Sequence, residues 1–289
     1  MDYSNKYITP EMIRKINAEV ALMNQEYSLI APGHLKDEIF ELLEKVGTLI
    51  FYPFEEKSLW GIYVLKNEKH YFIINSAITL EKQIFAGAHE LAHSLDLAKV
   101  KFKMVTANLM TEYTNHEEFG EELQKADAIA NRFAAELLVG KKQLQEKFYE
   151  LPKTYDYLTK AVLLSDIFLV PFKTIVKRFI EIELVEDENI IQTLLNTKLE
   201  TIKSIIERYE CCRRNFEISE EKRLGGYVNK ALMLYEQELS TFEELQEKLK
   251  LLQKTPEDYD VIDDGFDMYE FLRLASESPE VEEDYDEED

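Results

Sequence analysis

The sequence predicts an α+β fold: a small sheet held among helices, then a mostly α-helical C-terminal region and an acidic, disordered tail. Three observations predict it. Short runs rich in β-branched and aromatic residues cluster between 48 and 75. On both sides of that cluster, apolar residues recur at three-and-four spacing, the period of helices that bury one face. Acid crowds the C-terminus, where 255–289 hold sixteen acidic residues and a single base, Arg273.

The elements follow in order. Thr9-Pro10-Glu11 opens a helix with a hydroxyl cap, a proline at the first helical position and an acid facing the positive helix end. Ile13, Ile16, Val20 and Met23 continue it at helical spacing, and Ala31-Pro32-Gly33 breaks the chain. A second helix is expected over Leu35–Val46, with Gly47 as its stop. Strands are expected at TLIFY (48–52), LWGIYVL (59–65) and HYFIIN (70–75), the last two joined by a hairpin turn at Lys66–Lys69. The next helix starts near Thr79 and runs through EKQIFAGAHELAHSLDLAKV. An irregular stretch at about 101–120 leads to a long helical pattern, EELQKADAIANRFAAELLVG.

Beyond Pro152 the pattern is helical throughout. Ile191, Leu195, Leu199, Ile202 and Ile206 form one stripe. Val228, Leu232, Tyr235, Leu239, Phe242, Leu249 and Leu252 form another, and Ser240-Thr241 followed by Glu243-Glu244 could restart a helix within it. These stripes suit a helical-hairpin core, and self-association through 186–254 is a further possibility. The tail ends in EVEEDYDEED, which repels itself. A short apolar island, Phe266 to Leu272, is all it could dock. The expected organisation is an N-terminal helix (1–34), a central α+β domain (35–185), a helical region (186–254) and the tail (255–289).

Composition narrows the function. The chain has 289 residues, of which 45% are hydrophobic and 11% aromatic, ample for a packed core. Its net charge is −23, of which −15 lies in 255–289. That excess disfavours direct nucleic-acid binding and anionic membrane surfaces, both of which require dense positive charge. No signal region or long apolar run is visible. The two cysteines, Cys211 and Cys212, are adjacent and suit a reducing compartment. A cytoplasmic protein is the expectation.

The chemistry concentrates at His89-Glu90-Leu91-Ala92-His93, an HExxH motif. On a helix, residues four apart share a face, so both imidazoles can reach one ion. Glu90 is rotated about 100° from His89, out of the ligand set yet close enough to take a proton from water. Zinc suits such a set, given a third protein ligand and an open position. The helix follows a strand-rich segment, as a zincin active-site helix does. Spacing does not choose the third ligand among Glu117, Glu118, Glu121, Glu122, Asp127 and Glu136.

HELAH preceded by HYFIINSAITLEKQIFAGA, and followed by DAIANRFAAELL, resembles the ImmA/IrrE family of zinc metallopeptidases. The likeness covers roughly 35–185. Ala130, Asn131, Phe133, Ala134, Leu137 and Leu138 match the family's second motif, and Arg178 its closing segment. Asp127 stands where the family has a glutamate ligand, and Gly140 where it has proline. The resemblance implies a zincin-like domain and a zinc site of His89, His93 and Asp127, with Glu122 or Glu121 as substitutes. Asn131 would support the site. Asp96, three residues after His93, could orient an imidazole, and Tyr113 and His116 are candidate oxyanion donors.

In the implied reaction, Glu90 is general base in peptide hydrolysis. The implied substrate is a helix-turn-helix repressor, of the kind encoded beside such proteases on phages or mobile elements. Two other functions are compatible with parts of the sequence. A zinc-stabilised, non-enzymatic interaction protein would act through 186–254, with His116 closing the site. A helix-turn-helix reader at 163–180 would have only Lys173, Lys177 and Arg178 as local bases.

Overall fold

The computed structural model describes residues 6–27, 29, 35–95, 97–98, 117–211 and 216–261. Among the described residues the protein is mixed α and β, mostly helical, with eleven α-helices and one four-stranded sheet. The chain divides into two compact units, 1–223 and 224–289.

In the first unit, α1 (Pro10–Glu26) is capped by the Thr9 hydroxyl, which accepts from Met12 N–H, and buries Ile16, Val20 and Met23. Helix α2 (Glu38–Val46) buries Ile39, Leu42 and Leu43 and ends at Gly47. A side chain at Gly47 would put its Cβ 2.5 Å from the His70 carbonyl oxygen, so only glycine permits this turn into the sheet.

The strands are β1 (Thr48–Tyr52), β2 (Gly61–Lys66), β3 (Lys69–Asn75) and β4 (Arg223–Leu224), in the order β2-β3-β1-β4. Strands β2 and β3 are antiparallel, joined through Asn67 and Glu68, whose φ values of 51° and 63° form a two-residue primed hairpin. Strands β1 and β3 are parallel, with Ile50 opposite Ile73. Alternation buries Leu49 and Phe51 on β1 and Phe72 and Ile74 on β3. Helix α3 (Leu80–Ser94) packs on β2 and β3, and α4 (Glu117–Leu138) packs on α3. Ala88 and Ala92 on α3 and Ala130 and Ala134 on α4 are all buried. Such small side chains let two helix axes approach closely.

The remaining helices of this unit are α5 (Lys141–Glu150), α6 (Tyr157–Phe168), α7 (Phe172–Glu181), α8 (Glu188–Leu195) and α9 (Leu199–Arg208). The stripe from Ile191 to Ile206 is therefore two helices, broken at Asn196–Lys198, with Leu199 half exposed at the start of the second. Residues 216–223 return to the front of α3. There the Glu217 carbonyl accepts from Leu80 N–H, and Ser76 bonds Glu220 N–H and the Glu221 carbonyl.

The second unit holds α10 (Tyr227–Glu236) and α11 (Phe242–Lys250) around Ala231, Leu245 and Leu249. The Thr241 hydroxyl accepts from Glu244 N–H and restarts the helix there. A capped 3₁₀ turn at Pro256–Tyr259 follows, placing 255–261 in ordered structure. The tail beyond Val261 lies outside the described residues. No helix among the described residues is long and apolar enough to cross a membrane.

Candidate metal centre

Helix α3 is buried around most of its circumference because it lies between the sheet and α4. From Glu81 to His93 only Lys82, Phe85, His89 and His93 escape full burial, and they fall on one stripe. The two histidines therefore project to the same side, with their Nε2 atoms 3.1 Å apart. Each ring is aimed by its other nitrogen. His89 Nδ1 meets Asn131 Oδ1 at 3.2 Å, and His93 Nδ1 donates to the Ala98 carbonyl at 3.2 Å. Both hydrogen bonds place the ring proton on Nδ1 and leave Nε2 with a lone pair.

Asp127, on α4, completes the set. Its Oδ1 lies 3.8 Å from His89 Nε2 and 3.6 Å from His93 Nε2. A triangle of sides 3.1, 3.6 and 3.8 Å has a circumradius of about 2.0 Å, close to the roughly 2.0–2.2 Å at which imidazole and carboxylate ligands hold zinc. His89, His93 and Asp127 could thus hold one metal ion. The Asp127 side chain is 62% exposed, so the triangle opens to solvent on that side.

Glu90 sits behind the triangle, 8% exposed, against the sheet. Burial pushes its carboxyl up to about 7, against His93 and the Tyr63 backbone N–H, which favour the charged form. A Cβ at Gly61 would lie 2.9 Å from Glu90 Cγ and Oε1, so the glycine that opens β2 is what lets the strand press against this carboxylate. The imidazoles behave as a split pair. Burial and the neighbouring His93 push His89 down to about 4. Burial opposes charge on His93 too, but Asp127, Glu90 and the Ala98 carbonyl outweigh it and raise its pKa. Hydrogen bonding to His93 holds Asp127 below the usual carboxylate range.

Other candidates lie elsewhere. Glu121 pairs with Lys6 at 3.1 Å, and Glu122 is exposed on the same helix. Glu136 pairs with Arg178 at 2.9 Å. Asp96, Tyr113 and His116, and the side chains of Glu117 and Glu118, lie outside the described residues. A cavity of about 480 Å³, lined by residues of α1 with Val46 and Leu95, contains none of the triad.

Two arrangements went unforeseen. Fully buried Asn75 binds the loop before β2 through three hydrogen bonds and accepts a fourth from Ala77 N–H. Arg178, also fully buried, donates to the Val139 carbonyl at the end of α4 and pairs with Glu136 and Glu181. Arg132 pairs with the same two acids. Arg178 therefore cannot reach a phosphate, which leaves Lys173 and Lys177 as the exposed bases of 163–180. An arginine inside an apolar helix was the available signal for the ion-pair cluster. Compared with known proteins, the chain matches no family model and no curated protein.

Proposed function

We propose that the protein is a zinc-dependent endopeptidase with a zincin-like domain of the ImmA/IrrE kind, cytoplasmic, and directed at a helix-turn-helix repressor. The observation that carries this reading is the convergence of His89 Nε2, His93 Nε2 and Asp127 Oδ1 beside a buried glutamate. Asn131, the polar member of the second motif, meets His89, while Ala130, Phe133, Ala134, Leu137 and Leu138 of that motif are buried. The repressor substrate rests on the family resemblance and on the chain's negative charge, which complements a basic DNA-binding protein.

Zinc held by His89, His93 and Asp127 would supply Lewis acidity, acidifying water and polarising a peptide carbonyl. Glu90 takes the proton of the attacking water on its carboxylate and returns it to the departing amine, so the cleaved bond gains one water overall. Its raised pKa suits both halves of that transfer near neutral pH. Asn131 and the Ala98 carbonyl fix the imidazole tautomers. Strand β2 is at the sheet edge beside Glu90, where an extended peptide can add its own backbone hydrogen bonds.

The test is zinc content and cleavage of a co-expressed repressor. The parent should hold one zinc per chain, and Glu90→Gln should keep it while cleavage falls by roughly 10²–10⁴. Undiminished cleavage defeats the scheme. Four protein ligands by X-ray absorption would instead mark a zinc-stabilised interaction protein.

A further inference from the structure

We infer that the partly exposed stripe of α3 N-terminal to the histidines is a specificity subsite, formed by Trp60, Phe85 and Lys82. It would receive a bulky apolar side chain of the substrate, with a carboxylate beyond it on the same side of the peptide. The inference rests on the peptidase reading and extends it to sequence preference.

Lys82 and Phe85 continue the stripe of His89 and His93, so the surface is continuous with the metal triangle. Phe85 stays partly exposed one turn before His89, on a helix whose other apolar residues between Glu81 and His93 are buried. Trp60 approaches it edge-on, with ring centroids 6.4 Å apart. Lys82 Nζ stands 5.4 Å from the Trp60 ring centre, which puts a positive charge at the outer end of an aromatic shelf.

The shelf is rigid. Trp60 follows Leu59, whose carbonyl accepts from Asn75 Nδ2 at 2.7 Å, and the Trp60 carbonyl accepts from Asn75 N–H at 3.0 Å. It precedes Gly61, which abuts Glu90. The same backbone therefore sets the general base and the shelf in one frame.

Spacing gives the register. Phe85 lies about 6 Å along the axis from His89. That distance is two residues of an extended peptide at about 3.3 Å each, and side chains two apart point the same way. The apolar side chain is thus expected two residues from the attacked carbonyl, and an acid on the same face two residues further, toward Lys82.

The experiment is a peptide library randomised around the cleaved bond and digested by the zinc-loaded full chain and by Phe85→Ala, Trp60→Leu and Lys82→Glu. The parent should prefer aromatic or long aliphatic residues at one position two from the bond. Phe85→Ala and Trp60→Leu should each reduce that preference at least tenfold and leave other positions unchanged. Lys82→Glu should turn the preference two residues beyond that position from acidic to basic. Cleavage with the same profile in all four proteins overturns the subsite and leaves the peptidase reading standing. If the parent cleaves nothing, the peptidase reading fails, and emission of the sole tryptophan decides the subsite. A shift on titrating an acetylated Phe-Gly-Asp peptide into Glu90→Gln, abolished by Phe85→Ala, upholds it, and no shift overturns it.

Discussion

Replacing Asn75 by alanine removes the buried side chain that ties the loop between β1 and β2 to the end of β3, leaving Lys57 Nζ on the Ala77 carbonyl as the other side-chain tether. Its Oδ1 accepts from Phe54 N–H at 3.1 Å and Ala77 N–H at 2.9 Å, and its Nδ2 donates to the carbonyls of Glu56 at 3.2 Å and Leu59 at 2.7 Å. Each such bond is worth about 1 kcal/mol net, and water recovers part of what the half-exposed loop loses. Asn75→Ala is therefore expected to lose about 3 kcal/mol, read from the urea midpoint at constant slope. Trp60 supplies a second readout, since a loosened loop wets the ring and moves its emission to the red. Asn75→Asp sharpens the test. Its carboxylate still accepts from both N–H groups but turns an oxygen toward the two carbonyls, so it should lose as much at neutral pH and recover in acid. A loss under about 1 kcal/mol for Asn75→Ala, with unmoved Trp60 emission, would refute the idea that this residue organises the loop.

Asn131→Ala frees the His89 ring, and zinc affinity measured against a chelator should fall about 10–100-fold; unchanged affinity would show that the 3.2 Å contact does not orient the ligand. Gly61→Ala forces a Cβ against Glu90, and hydrolysis should drop at least tenfold while zinc content holds, so full activity would mean that β2 yields freely. Burial pushes Glu81 from 4.5 up to about 7, so the folded state favours its protonated form. That contribution to stability is complete below about pH 4.5 and is lost as pH rises through about 7. Glu81→Gln should be more stable than the parent at pH 8 by about 3 kcal/mol and equal to it near pH 4. Because Glu90 adds a similar slope to both proteins, parallel pH profiles for the pair would contradict this account.

What could be read in the chain was what local geometry encodes. The β-rich run TLIFY marked the strand that became β1, and the four-residue spacing of His89 and His93 put two imidazoles on one helical face without any knowledge of the fold. Spacing could not choose the third ligand, because Asp127 reaches the histidines only through the packing of α4 on α3. Asn75 reads as an ordinary residue ending a strand, and three of its four partners lie in a distant loop that periodicity does not describe. Glu81 looks like an acid compensating the first turn of a helix, yet it is buried. The stripe from Ile191 to Ile206 misled in the opposite sense. Leu195 and Leu199 keep helical spacing across a break, where the Asp187 cap and the Asn196 terminus were the better guides.

Helix α4 carries two polar clusters, and their difference argues for chemistry at only one of them. Arg132, Arg178, Glu136 and Glu181 alternate in sign and sum to zero, and Val139 takes a further guanidinium N–H, so the cluster is closed by the protein's own charges. Such a network fastens α4 to α7 at the cost of desolvation, with Arg132 Nε left without a hydrogen bond, and its charges balance without a further ion. At the triangle, both Nδ1 atoms are already committed to Asn131 and Ala98, which turns two lone pairs and a carboxylate toward one point. That convergence is repulsive until a cation stands there. A proton on His93, whose pKa is raised, is one answer. A divalent ion would be the other, and since it needs both imidazoles unprotonated its affinity should fall as the pH is lowered. A scaffold needs none of this: apolar residues at 89, 93 and 127 would join α3 to α4 with less strain.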